Sequence, residues 1–575
     1  MKTILSFLKP FKLSIIIAYS LTLVELAAEL LFPLFLGLMI DQGIVPANMD
    51  KIQMWGAIMI AVTTISFTAG IINSYYSSHI STASAYQIRE KLFEYIQQFS
   101  FEQLNIYPTS MLLTRFTNDI RQIQNTIFMA LRIMLKAPLM VFGSIMMSFI
   151  VNPQISIIFL IIVPVLIVFL YWVLMKGSTM FSTVQKRVDQ VNRIIQENIA
   201  GMRIIKAFLR SDHENNRFTK TNRLLQRETQ TAFRFVEASM PVLLLVMNVS
   251  LVFILWFGNK QSIAGTAAVG DVVAIVNYAL RTVMSVSMFT FIALAFSRAK
   301  ASSERIEEIL TEKVSSENTS NLLTNKNITG KITCQHVSFT YPNSRVNVLE
   351  DITFDIQPRE QLAILGATGS GKSTLFQLFP RLYQPTKGNI FIDDEPIDAY
   401  PIDQLRHDIG YVSQIPLLFT GTIAENITFG KELATEAEVI HAAKDAQIHT
   451  TIMSFPDQYQ TVVGQKGVNL SGGQKQRISI ARALIRKPKI LMLDDSTSAL
   501  DMHTESLLLD AIDSYDCTII IITQKVSTAK RADRILLLDE GRILHIDSHE
   551  KLLKKSQLYQ DIVTSQSQKE VANVE

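Results

Sequence analysis

Long runs without a single charge constrain this chain more than any other feature. Ile155–Met175 and Ala238–Asn259 carry none, and each is long enough to cross a bilayer core as helix. Lipid offers no partner to backbone polar groups, so such runs must be helices whose hydrogen bonds close internally. Trp55–Ser78 also qualifies, as does Val272–Ser297, interrupted by Arg281. Leu13–Ile40 contains Glu25 and Glu29, and Ile127–Val151 has Arg132 and Lys136 near its start. The expectation is six spans, all before residue 300.

Lysine and arginine set the orientation. They crowd the connections between spans two and three (Arg89, Lys91, Arg115, Arg121) and between spans four and five (Lys176 to Arg227), while the other connections are short and poor in them. Both termini are therefore expected in the cytoplasm of a multi-pass cell-membrane protein. The start "MKTILSFLKPFKLSIII" reads as a short amphipathic helix on the inner membrane face rather than a signal peptide, because Lys9 and Lys12 break the apolar run. The long basic connections have helical periodicity, broken in one case at Gly201. A net charge of +3 gives no support to nucleic acid as a partner. The two cysteines, Cys334 and Cys517, lack metal spacing and read as buried thiols.

Composition divides the 575 residues into a membrane portion (1–300), a polar linker (301–330) and a soluble α/β portion (331–575). The fold class expected is an all-α six-helix transmembrane domain followed by a cytosolic α/β P-loop nucleotide-binding domain. In "QLAILGATGSGKSTLFQLF" a short apolar strand runs into G-x-x-x-x-G-K-S and then a helical pattern. That order is what a phosphate-binding loop requires. Gly366, Ala367, Thr368, Gly369, Ser370, Gly371, Lys372, Ser373 and Thr374 form the nucleotide-binding stretch. Its glycines let backbone N–H groups converge on phosphate at a helix start. Lys372 supplies a point charge to the phosphates, and Ser373 a hydroxyl to Mg²⁺. Asp494 ends the strand "ILMLD" and suits a carboxylate that holds Mg²⁺ through water. A second anion-binding helix start lies in "VNLSGGQKQ", where Ser471 caps a helix beginning near Gly473. One domain rarely needs two such starts for one nucleotide, so this one is expected to address a nucleotide on another copy of the domain.

With "GATGSGKS", "LSGGQ", "LMLDD" and "SALD", the chain resembles the ATP-binding cassette transporters, specifically exporter half-transporters, and the resemblance covers nearly its whole length. The resemblance implies further roles. Tyr341 would stack on adenine. Gln414 in "YVSQIPLLF" would join Mg²⁺ and the attacking water to the membrane half. Ser471, Gly472, Gly473 and Gln474 would face the partner's nucleotide, with Asp501 in the D-loop. "YPTSMLLTRFTNDI" and "QENIAGMRII" look like coupling helices that dock on a cassette.

The chain departs from that family pattern at three places. Asp495 stands where the family has the glutamate after the metal aspartate, Gln524 where it has histidine, and Gln465 where exporters usually have glutamate. Aspartate is one methylene shorter than glutamate, so its oxygens retract by roughly 1 Å. A misplacement of that size costs about a hundredfold in rate. Gln524 can hydrogen-bond a phosphate but cannot become charged. Asp495, Gln524 and Gln414 are thus the catalytic candidates of a site that holds ATP and Mg²⁺ yet turns over slowly. A benign alternative is that Gln524 orients water, as glutamine does in some GTPases. With "LSGGQ" intact, the pattern is similar to the degenerate-site subunit of bacterial heterodimeric multidrug exporters. Its partner would be a sister half-transporter with glutamate and histidine at the matching positions and an altered signature.

The implied cargo is hydrophobic or amphiphilic small molecules. Glu25 and Glu29 share a helix face, and charges at bilayer depth usually face a cavity or a partner. The expectations are that the glutamates attract cationic amphiphiles, or that they pair with Arg281. Lipid export, or a regulatory ATP-binding role without transport, are the alternatives.

Overall fold

The computed structural model describes residues 2–312, 327–342 and 344–572. They fall into two compact units: residues 2–98 with 107–312, and 99–106 with the chain from 327 onward. Much of the expected linker, residues 313–326, lies outside the described residues.

Among the described residues, the first unit is built on six helices long and apolar enough to cross a membrane. These are Lys9–Ile44, Met49–Gln97, Thr109–Val151, Pro153–Ala200, Ser211–Ile263 and Val269–Thr311. Each contains one of the six uncharged or nearly uncharged runs, and all but the first extend well beyond it as polar helix carries on from the apolar part. The last helix reaches Thr311 and so takes in "SSERIEEIL" at the start of the stretch 301–330. Asn152 caps the fourth, its side chain accepting from Gln154 and Ile155 N–H groups, with Pro153 at the first helical position. Gly201 interrupts the fourth helix as its sequence suggested, with a short helix Met202–Ala207 after it. Inside the bundle polar side chains answer one another: Asn73 Nδ2 donates to Thr22 Oγ1 (3.0 Å), Thr22 Oγ1 to Leu131 O (3.2 Å), and Ser77 Oγ to Asn73 Oδ1 (3.1 Å). Such pairs fix which helix faces meet where hydrocarbon cannot.

The second unit is an α/β domain with a six-stranded sheet in the order Arg542–Asp547, Arg534–Asp539, Gln361–Leu365, Thr518–Ile522, Ile490–Asp494, Ile409–Val412. Only the first pair is antiparallel. "ILMLD" and "TIIII" are buried at every position, as expected of parallel strands covered on both faces. Cys334 and Cys517 are both buried and free. Residues Phe99–Ile106 group with this unit, where Asn105 Nδ2 donates to the Tyr383 hydroxyl and the Phe101 and Tyr383 rings meet edge to face at 6.0 Å. The expected "YPTSMLLTRFTNDI" begins just after this segment, at Tyr107, and groups with the first unit.

Candidate functional site

Strand register assembles the site. Ile522 is level with both Ile364 and Asp494, so the carboxyl ends of three neighbouring strands finish together. The loops that leave those ends carry Gly366–Ser373, Asp495 and Gln524. This is the edge at which open parallel sheets bind ligands. A cavity of about 280 Å³ lies there, and its walls include Lys372, Ser373, Asp494, Gln414, Asp495 and Gln524.

The phosphate loop has the conformation its glycines were expected to allow. Gly369 and Gly371 lie at φ +88° and +99°, where side chains are strained, and a Cβ on Gly371 would come within 2.9 Å of Val348 O. A Cβ on Gly366 would collide with Leu538 O. The helix Lys372–Leu378 begins at Gly371, with Ser370 and Thr374 buried beside it and Thr368 in the cavity wall. Lys372 Nζ lies over the loop, donating to Gly366 O (2.9 Å) and Ala367 O (2.7 Å). Burial lowers its pKa, opposed by the charges of Asp494 and Asp495. Ser373 Oγ donates to Asp494 Oδ1 at 3.2 Å. Burial raises the Asp494 carboxyl above its ordinary range, and the neighbouring Asp495 adds to this, while the Ser373 hydrogen bond and Lys372 oppose it. A hydroxyl and a carboxylate side by side, under a loop too tight for side chains, fit a magnesium nucleotide.

Asp495 sits at φ +45°, a backbone region that aspartate enters more readily than most residues. Burial raises its carboxyl too, while a hydrogen bond from Gln414 and the positive charges of Lys525 and Lys372 pull it down. Thus Gln414 and Asp495, distant in sequence, line the same cavity. Tyr341 is half-buried, its hydroxyl bonded to Thr374 Oγ1 (3.0 Å) and its ring set edge to face against Phe339 and Tyr383. Ser471 N-caps the helix Gly472–Leu484: Gln474 N donates to Ser471 Oγ (3.3 Å) and Ser471 N to Gln474 Oε1 (2.8 Å). None of Ser471, Gly472, Gly473 and Gln474 lines the phosphate cavity. Asp501 caps the helix Met502–Asp513 by accepting from Thr504 N (2.9 Å). Gln465 opens a short 3-10 turn and is exposed.

The chain matches the ABC transporter transmembrane region over residues 15–286 and the ABC transporter nucleotide-binding family over 349–498. It is 52% identical over 566 residues to YfiB of Bacillus subtilis, described as an uncharacterized ABC transporter ATP-binding protein, covering 98% of each chain. The chain belongs to the ABC exporter family. This half-transporter is also 31% identical to YgaD of Bacillus subtilis, a putative multidrug export ATP-binding/permease protein, over 99% of both chains. It is 30% identical to ATP-dependent lipid A-core flippase 1 of Colwellia psychrerythraea, over 97% of this chain and 94% of that one. Its fold is shared with a bacterial Atm1-family ABC exporter solved with ATP bound, at a TM-score of 0.80 and 23% identity, over 96% of this chain and 99% of that one.

Several residues near these sites were not singled out from sequence. Lys525 Nζ donates to Glu505 Oε2 (2.5 Å) and Thr528 Oγ1 to Glu505 Oε1 (2.7 Å), an ion pair of a buried glutamate and a half-buried lysine whose charges both act on Asp495. Gln566, near the C-terminus, straddles the Gln524 turn: its Nε2 donates to Gln524 O (2.6 Å) and its Oε1 accepts from Val526 N (2.8 Å). In the first unit, the expected pairing of Glu25 or Glu29 with Arg281 does not occur. Lys136 takes both carboxylates, at 3.3 Å from Glu25 and 2.7 Å from Glu29, while Arg281 lies over the Phe32 ring. Lys136 and Arg132 were visible in the sequence only as blemishes in the third span. Intramembrane charge was the available signal.

Proposed function

We propose that this half-transporter is the weakened-site subunit of a heterodimeric exporter of hydrophobic or amphiphilic compounds. The observation that carries the reading is the composition of one cavity: Thr368, Gly369, Gly371, Lys372 and Ser373 of the phosphate loop and Asp494 stand in its wall beside Asp495 and Gln524. Lys372, Ser373 and Asp494 hold ATP and Mg²⁺, with Tyr341 against the base. Bound Mg²⁺ neutralises charge on the phosphate oxygens. Asp495 and Gln414 align water, but Asp495 falls about 1 Å short and Gln524 adds no positive charge, so binding is retained while turnover falls. The capped start of the Gly472–Leu484 helix lies outside this cavity, which suits an approach to the nucleotide of a sister half-transporter with glutamate and histidine at the matching positions. Hydrolysis there would reset the pair. Both termini lie in the cytoplasm. The names of relatives favour drug-like or lipid cargo, and both are amphiphiles.

The test is the double substitution Asp495→Glu with Gln524→His in the full chain. Wild type alone should bind ATP and hydrolyse it slowly. The double variant should gain at least about tenfold in ATPase rate, a lower bound beneath the roughly hundredfold or more that a well-placed base contributes. Brisk hydrolysis by the wild-type chain alone, or no gain in the variant, overturns the proposal.

A further inference from the structure

Two cavities of about 680 and 480 Å³ in the first unit share Glu25, Glu29, Arg132 and Arg281 in their walls. The two carboxylates invite a cationic cargo, but their contacts argue otherwise. Lys136 Nζ bridges them, at 3.3 Å from Glu25 Oε2 and 2.7 Å from Glu29 Oε1. The Glu25 side chain is only 11% exposed, and it passes where a Cβ on Gly70 would collide with its Oε1. The glutamates are thus already engaged, one of them largely shielded.

The arginines are not. Arg132 reaches only Ser74 Oγ, at 3.3 Å, and lies over the Phe128 ring. Arg281 lies over the Phe32 ring with its carbon 5.9 Å from the centroid. Among the described residues neither has a carboxylate within ion-pair distance, and stacking on a ring leaves guanidinium N–H groups available in the plane. The shared site holds three cations, counting Lys136, against two carboxylates. Beside the arginines the walls turn apolar, with Phe67, Met284 and Met288. An oxyanion head and an apolar tail fit that division.

We propose that this cavity binds anionic amphiphiles, with Arg132 and Arg281 holding a phosphate or carboxylate head while Lys136 keeps Glu25 and Glu29 from repelling it. The proposal deepens the export reading above by naming the cargo class. Its deciding comparison is between amphiphiles in the absence of nucleotide, so its failure would leave the ATP-site proposal standing.

Binding to the full chain in phosphatidylcholine nanodiscs, corrected for empty discs, should be measured for dodecyl phosphate, dodecyltrimethylammonium, dodecyl maltoside and inorganic phosphate. Wild type should prefer dodecyl phosphate over the ammonium probe by at least tenfold, roughly what one charge-assisted contact contributes. Arg132→Gln with Arg281→Gln should erase that preference while leaving dodecyl maltoside and ATP binding intact, which also shows that the variant is folded. Lys136→Gln should release the carboxylates and tilt selectivity towards the ammonium probe. Equal wild-type affinity for both charged probes, or a preference that survives loss of both arginines, overturns the proposal. Inorganic phosphate binding as tightly as dodecyl phosphate also overturns it, in favour of a site for free anions.

Discussion

Glu505→Gln isolates one charge beside the candidate catalytic carboxylate. Glu505 is 5% exposed, accepts from Lys525 at 2.5 Å and from the Thr528 hydroxyl at 2.7 Å. Glutamine keeps the shape and can still accept from Thr528, so the substitution removes the ion pair with little change in packing. At an effective dielectric of about 20, a pair at this distance is attracted by roughly 6–7 kcal/mol before the cost of taking both charges out of water. Breaking a fully buried pair costs about 3–5 kcal/mol. Lys525 is one-third exposed and can partly rehydrate, which reduces the expected loss to about 2 kcal/mol. For a domain of this size that is a fall of about 4–8 °C in the melting transition of the cassette. Thermal unfolding of the full chain in nanodiscs, followed by intrinsic fluorescence, reads this directly. A second readout concerns Asp495, whose carboxyl is raised first by burial and further by the charge of Glu505, and lowered by Lys525. Removing Glu505's charge and releasing Lys525 both lower it, so the acid limb of any Asp495-dependent ATPase activity moves to lower pH. An unchanged melting transition together with an unmoved limb would refute this account of the pair.

Two further outcomes are expected. Because the Asp494 carboxyl is raised, chiefly by burial, protons compete with Mg²⁺ there sooner than at an ordinary aspartate. Magnesium-dependent ATP affinity should therefore weaken on acidification while the pH is still above the usual aspartate value of 3.8, and a titration flat down to that point would contradict the assignment. Gln566→Ala removes both hydrogen bonds that hold the Gln524 turn. ATP affinity of the chain should stay the same while the ATPase gained by the Asp495→Glu, Gln524→His variant falls several-fold, since an error near 1 Å in position costs up to about a hundredfold. An unaltered rate would show that the turn is held by the sheet alone.

The sequence by itself determined the local elements. Uncharged runs of span length can only be helices in lipid, and "GATGSGKS" between a strand and a helix can only be a phosphate loop, because both are set by backbone chemistry over a dozen or so neighbouring residues. The three departures at Gln465, Asp495 and Gln524 were likewise legible one by one. The tertiary structure decided which of them share a site. Register places Asp495 and Gln524 at the ends of adjoining strands, and Gln465 on an exposed turn outside the cavity. It also decided the ion pairs: Lys136, 107 residues from Glu29, takes a partner for which intramembrane charge had suggested Arg281. No periodicity announces such a choice. It follows from which helix faces meet when buried polar groups such as Asn73 and Thr22 must find each other, a condition the whole bundle satisfies at once.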